Sequence, residues 1–227
     1  MQRVLDADNR AGTEALLFPT YSKGERVADA LVHVAGLAFG IAGAAALMLT
    51  SVGRSPARDI AGLAVYSAGL IGMFTASAIY NLARDPVLKE RLRRLDHAAI
   101  FLMIAGSYTP FALIKIGGGT GLALLAAVWG IALFGVAVKL WLPRRFDRVS
   151  IALYLAQGWV IIFALGPLIE AVPQRSVVLL LAGGCIYTAG VAFHLLERLP
   201  FHNVLWHVFV LGGAITQFLS IYEAVIP

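Results

Sequence analysis

Followed from end to end, the chain alternates between seven long apolar stretches and short polar or Pro/Gly-containing breaks. The stretches run roughly over residues 28 to 50, 60 to 83, 96 to 115, 121 to 141, 150 to 170, 176 to 197 and 203 to 224. Each approaches the length a helix needs to cross the hydrocarbon layer of a bilayer. Strands of a membrane β-barrel would be half as long and would alternate every second residue, whereas Ile60 to Ala83 is long and uniformly apolar. The pattern predicts an all-α fold, a polytopic membrane protein built as a bundle of seven transmembrane helices. One transmembrane domain, 28–224, is expected to follow an amino-terminal segment, 1–27. That segment contains Arg3, Asp6, Asp8 and Arg10 without an uninterrupted apolar core, so it does not read as a cleavable signal peptide, and the first apolar stretch is expected to start insertion.

Composition strengthens this reading. The chain is 59% apolar and only 14% charged, with a mean hydropathy of +0.81, outside the range of ordinary water-soluble domains. A net charge of +5 would suggest nucleic acid in a soluble protein. In a chain this apolar, basic residues belong beside anionic headgroups, so membrane lipids and not nucleic acid are the expected partners. The single cysteine, Cys185, falls in the sixth stretch and cannot form an intrachain disulfide.

The placement of the cations sets an expected orientation. Arg84, Lys89, Arg91, Arg93 and Arg94 separate the second and third stretches, and Lys139, Arg144, Arg145 and Arg148 separate the fourth and fifth. Arg3, Arg10, Lys23 and Arg26 at the amino terminus and Arg198 after the sixth stretch share that side, against Arg54, Arg58, Lys115 and Arg175 on the other. The positive-inside rule then puts the amino terminus in the cytoplasm and the carboxyl terminus outside. As a topology anchor the charge run over 84–94 is sufficiently explained, and it is given no catalytic role.

Ionisable and polar groups inside spans are costly, so their positions carry the functional signal. Glu25, Asp29 and His33 recur every fourth residue and share one helix face. Ser77 and Asn81 repeat that spacing at the end of the second stretch. Asp96 and His97 open the third, His194 and Glu197 close the sixth, and His202, Asn203 and His207 open the seventh. All belong to the side expected to be cytoplasmic. Any one of them is adequately explained as a capping or snorkelling residue; together, on one side only, they point to a shared functional or metal-binding chamber.

Other features have plainer explanations. Gly36, Gly40 and Gly43 suit close helix packing, Pro110 and Pro167 are expected to bend their helices, and Gly117 to Gly119 reads as a tight turn. No phosphate loop, dinucleotide fingerprint or zinc-protease helix motif is present.

The segments Glu25-x-x-x-Asp29-x-x-x-His33, Ser77-x-x-Tyr80, Leu95-Asp96-His97 through Ala105-Gly106-Ser107-Tyr108-Thr109-Pro110-Phe111, and Trp206-His207-Val208-Phe209-Val210-Leu211-Gly212 resemble the hemolysin III family, the bacterial branch of the progestin and adipoQ receptors. The likeness spans all seven stretches in order and is most specific in the third. It implies an integral protein of a bacterial inner (plasma) membrane with the reversed topology reached above from charge. It also implies a zinc site near the cytoplasm, made by a Ser-x-x-x-His histidine of the second span and a His-x-x-x-His pair of the seventh, with a serine and an aspartate holding a zinc-bound water. Three imidazoles would leave zinc an open position and bring the pKa of its water towards neutrality.

This chain departs from that pattern at the ligands. Asn81 stands four residues after Ser77 and Asn203 four before His207, both where the family has histidine, and Gln217 replaces a further one. A neutral carboxamide is a poor zinc ligand. The expectation is a hemolysin-III-like protein of membrane or lipid homeostasis with a degenerate zinc site and a polar cavity formed by Glu25, Asp29, His33, Asn81, His97 and Asn203. An alternative is a zinc-dependent lipid amide hydrolase with rearranged ligands, His207 and His202 or His33, in which Ser77 and Asp96 orient water. A cytolysin or pore former is a second alternative.

Overall fold

A computed structural model describes residues 18–142 and 146–226. Residues 1–17 of the expected amino-terminal segment, with Arg3, Asp6, Asp8 and Arg10, and the loop cations Arg144 and Arg145 lie outside the described residues.

Among the described residues seven helices are long and apolar enough to cross a membrane: α1 (Lys23–Ser51), α2 (Ala57–Leu82), α3 (Pro86–Ile116), α4 (Gly118–Trp141), α5 (Asp147–Ala171), α6 (Gln174–Leu195) and α7 (His202–Val225). Several start before their apolar stretch does. In α1 the Ser22 side chain accepts from the Glu25 amide while the Glu25 carboxylate accepts from the Ser22 amide, a capping box that carries the helix back to Lys23. In α3 Asp85 caps the Leu88 amide and Pro86 occupies the first turn, so the charged run over 87–94 is helical.

The first four helices pack side by side in order, α6 packs on α7 and α7 returns to α1, while α3 runs through the interior and also touches α5 and α7. The close contacts rest on glycine. A Cβ at Gly36 would stand 2.6 Å from the Phe74 ring of α2, and one at Gly43 would stand 3.0 Å from Phe218 of α7. Both α1 positions therefore act as seats for aromatic rings, as the spacing predicts.

Both expected bends coincide with a change of helical register beside a proline. After Pro110 the last turn of α3 widens to a π-helical register over Phe111–Ile116, ending on the left-handed Gly117 and Gly118. In α5 the helix tightens over Val160–Ala164, one turn ahead of Pro167. Pro167 has no N–H for the Phe163 carbonyl, so the irregularity appears upstream of the proline itself. At the start of that turn the Tyr108 hydroxyl of α3 donates to the Gly158 carbonyl at 2.6 Å and accepts from the Ile161 amide at 3.0 Å. Fully buried Gln157 binds the carbonyls of Phe101 and Val128, tying α5 to α3 and α4. By contrast α5 and α6, adjacent in sequence, meet only lightly.

Candidate functional site

A cavity of about 820 Å³ lies within the bundle, lined from all seven helices. Its polar groups sit at the end where α1, α3, α5 and α7 begin. Its deeper wall is apolar, with Met73, Leu180, Leu181 and Val210 beside the rings of Trp159 and Tyr187.

Asp29 organises the polar end. The four-residue spacing on α1 puts Asp29 and His33 one turn apart on the face that meets α7. The Asp29 Oδ1 atom lies 2.6 Å from His207 Nδ1 and accepts from the Asn203 amide at 3.3 Å, so one carboxylate engages both polar positions of the first turns of α7. His33 Nδ1 lies 2.7 Å from the Asp29 backbone carbonyl, which can only accept, so Nδ1 carries the proton. His33 Nε2 then turns its lone pair towards the Ser77 hydroxyl at 3.2 Å and the Asn81 amide at 3.4 Å. The His33 and His207 rings stand edge to face, 4.4 Å between centroids. Asp29, His33 and His207 each offer a donor atom within 4.8 Å of the others, the one group of this kind among the described residues. Each histidine hydrogen-bonds through Nδ1 and keeps Nε2 for another partner, the arrangement that orients zinc-bound imidazoles.

Asp96 is buried in α3 beside Ser77 and within electrostatic reach of His207. His33, Ser77, Asn81, Asp96, His97, His202, Asn203 and His207 all line the cavity. His97 belongs to its far wall, 4.0 Å from Asp147. His202 is buried with its Nδ1 unpartnered and its ring 5.9 Å from that of Tyr21, on the wall shared with a smaller crevice, and it stands apart from the Asp29 group. Glu25 is half-buried and lines only that crevice; it caps α1 and accepts from the Phe201 amide at 2.9 Å, stapling the starts of α1 and α7 together. Its place on the face of Asp29 and His33 holds, but its work is structural. Tyr21, just ahead of α1, has its phenol pushed up to about 12 by burial and by the carboxylates of Asp29, Glu25 and Glu197, so it remains a neutral donor.

One group escapes a reading based on helix-end polar residues. Arg93 of α3 and Lys139 of α4, both buried, and half-exposed Asp147 of α5 form an ion cluster on the cavity wall: Lys139 Nζ lies 2.6 Å and Arg93 3.2 Å from the Asp147 carboxylate, and Arg93 also grips Glu90. The available signal was Lys139, a cation within the fourth apolar stretch, which is only 3% exposed. Arg93, taken for a surface anchor, is buried too.

The donor chemistry separates two possible metal sets. At positions 81 and 203 the amide nitrogens donate, Asn81 to the Ser77 carbonyl at 3.0 Å and Asn203 to Asp29, so both present N–H groups to the site and do not fit as ligands. Two imidazoles and a carboxylate, from His33, His207 and Asp29, do fit zinc in kind.

Comparison with known proteins agrees with this architecture. The family model for haemolysin-III-related proteins matches residues 23–218. The chain is similar to Hemolysin-3 of Bacillus cereus, 35% identical over 95% of this chain and 98% of that protein. It is also similar to the Hemolysin-3 homolog of Bacillus subtilis, 32% identical over 87% and 92%. More distantly it resembles the human monocyte to macrophage differentiation factor, 24% identical over 70% of this chain and 68% of that one. No solved structure matches the chain.

Proposed function

The chain belongs to the haemolysin-III-related family, and from that premise we propose that it is a plasma-membrane protein of membrane or lipid homeostasis that receives a lipid chain in its cavity and holds zinc weakly. The observation that carries this reading is a single cavity joining an apolar wall, large enough for an acyl chain, to His33, Ser77 and His207, which line it and are tied together by hydrogen bonds that run through Asp29 behind them. Weak zinc binding is argued from the donors: the family's imidazoles at 81 and 203 are carboxamides, and the remaining set has two imidazoles and one carboxylate. His33, His207 and Asp29 would hold the ion. When bound, zinc would supply a Lewis acid and lower the pKa of its water. The chain's own residues orient what lies beside it: Asp29 fixes the His207 ring, the Asp29 carbonyl fixes that of His33, and Ser77 with Asp96 offers a hydroxyl and an acceptor.

The Asp29, His33 and His207 group also supports a second reading, a zinc-dependent lipid amide hydrolase with rearranged ligands. Elemental analysis of purified protein and of His207→Ala separates the two. Sub-stoichiometric zinc that the substitution leaves unchanged eliminates the hydrolase. Zinc near one per chain, accompanied by fatty-acid release from an amide-linked lipid in vesicles, with both lost in His207→Ala, replaces the first reading by the second. A mainly apolar lining is poorly suited to a water-filled pore, which weighs against a cytolysin.

A further inference from the structure

We infer that the Arg93, Lys139 and Asp147 cluster, with Arg148 at its edge, is a binding place for the anionic headgroup, phosphate or carboxylate, of an amphiphile whose chain lies in the cavity. The inference rests on the lipid-cavity reading but not on any metal.

Two buried cations, Lys139 and Arg93, share the carboxylate of Asp147, and both line the cavity. The guanidinium of Arg93 is fully engaged: Nε and one terminal nitrogen bind Glu90, and the other binds Asp147. Lys139 differs. Its ammonium has three N–H donors and makes one hydrogen bond among the described residues, to Asp147 Oδ1. A nearly fully buried ammonium with donors to spare is costly unless an acceptor reaches it. The cavity is the space through which one can come. Arg148, exposed at the same wall, adds a cation next to Asp147 in sequence. Asp147 is 42% exposed at its side chain, so an incoming oxyanion would meet a carboxylate able to yield towards solvent while Lys139 stays in place.

Apolar surface continues from this wall through Ile151 and Leu155 to Trp159 and Leu180. A free small anion would leave that surface unused, whereas a lipid fills both parts. Basic pockets between helices at the headgroup level are a recurrent way of holding anionic lipids.

The test uses the full chain in detergent and native mass spectrometry of lipid adducts, with phosphatidylglycerol, phosphatidylcholine, oleate and inorganic phosphate as probes. Phosphatidylglycerol and oleate are expected to bind better than phosphatidylcholine, and Lys139→Gln is expected to weaken both anions about fivefold while sparing phosphatidylcholine. Lys139→Arg should restore them. Arg148→Gln, a surface change, should lower anion binding in the same sense. Asp147→Asn gives the sharpest contrast: it removes the competing carboxylate and should strengthen anion binding, whereas a purely structural cluster would be weakened by it. Equal binding of phosphatidylglycerol and phosphatidylcholine, or indifference to all four substitutions, overturns the site. Full competition by inorganic phosphate overturns the amphiphile and leaves a free-anion site. Zinc content is measured on the same samples, and since none of these variants touches Asp29, His33 or His207, failure of the metal reading is recognised separately.

Discussion

An imidazole and a carboxamide both offer nitrogen to a neighbour, but only the imidazole keeps a basic lone pair there. At positions 81 and 203 this difference decides what the site can hold. The Asn81 amide donates to Ser77 and the Asn203 amide to Asp29, and each bond would have to be surrendered to a cation. Asn81→His with Asn203→His returns imidazoles to both positions beside His207. The double variant is expected to retain about one zinc per chain after dialysis against a chelator, where the natural chain loses its metal; inductively coupled plasma analysis reads the difference. If the double variant were as empty as the natural chain, the two carboxamides would not be what weakens the site. Both asparagines are legible in the sequence from their spacing to Ser77 and His207, and the departure they make is legible from the resemblance to the family. The partnership of Asp29 with His207 is not, because it joins positions 178 apart and depends on the angle at which α1 meets α7. His202 shows the complementary limit: one residue before Asn203, it is rotated by about 100° around α7 and faces the Tyr21 crevice as well as the cavity.

Among the helices, spacing was a good guide to faces and a poor guide to irregularity. The glycines of α1 announce a packed face, and the structure gives each a specific ring to receive. Gly36→Val would drive a branched side chain into the Phe74 ring, which is itself buried and has nowhere to go. A loss of about 1 to 3 kcal/mol is expected, seen as a lower midpoint in a detergent thermal-shift assay. Gly72→Ala is the control: nothing stands within 4 Å of the added Cβ, and the lower chain entropy of alanine should leave stability unchanged or raise it by about 0.5 to 1 kcal/mol. Equal losses at Gly36 in α1 and Gly72 in α2 would mean that a general need for glycine in these helices, and not the ring seat, sets the cost. The tightened turn of α5 could be anticipated from Pro167 only in outline, since it also involves Tyr108 of another helix, whose hydroxyl binds the Gly158 carbonyl and the Ile161 amide. The Arg93, Lys139 and Asp147 cluster was hidden for a similar reason: three helices contribute one residue each, and each residue alone looks like a helix-end charge.

That cluster also bears on how the bundle sits in its membrane. The positive-inside rule concerns cations free to meet headgroups, yet Arg93 and Lys139 are buried and paired, so their charges serve the interior. Removing both from the tally leaves Lys23, Arg26, Arg84, Lys89, Arg91, Arg94, Arg148 and Arg198 at the same end among the described residues, still twice the four at the other, Arg54, Arg58, Lys115 and Arg175. The bias survives, and the positive-inside rule again assigns the end carrying Asp29 and His207 to the cytoplasm. Exposed positions make this testable: Arg91→Cys and Arg54→Cys in a Cys185→Ser background, labelled in intact cells with a membrane-impermeant maleimide. Arg54→Cys should label before lysis and Arg91→Cys only after it. The reverse pattern would open the cavity's polar end to the exterior, where the lipids reaching Lys139 and the Asp29 group would come from the outer leaflet instead of the inner one.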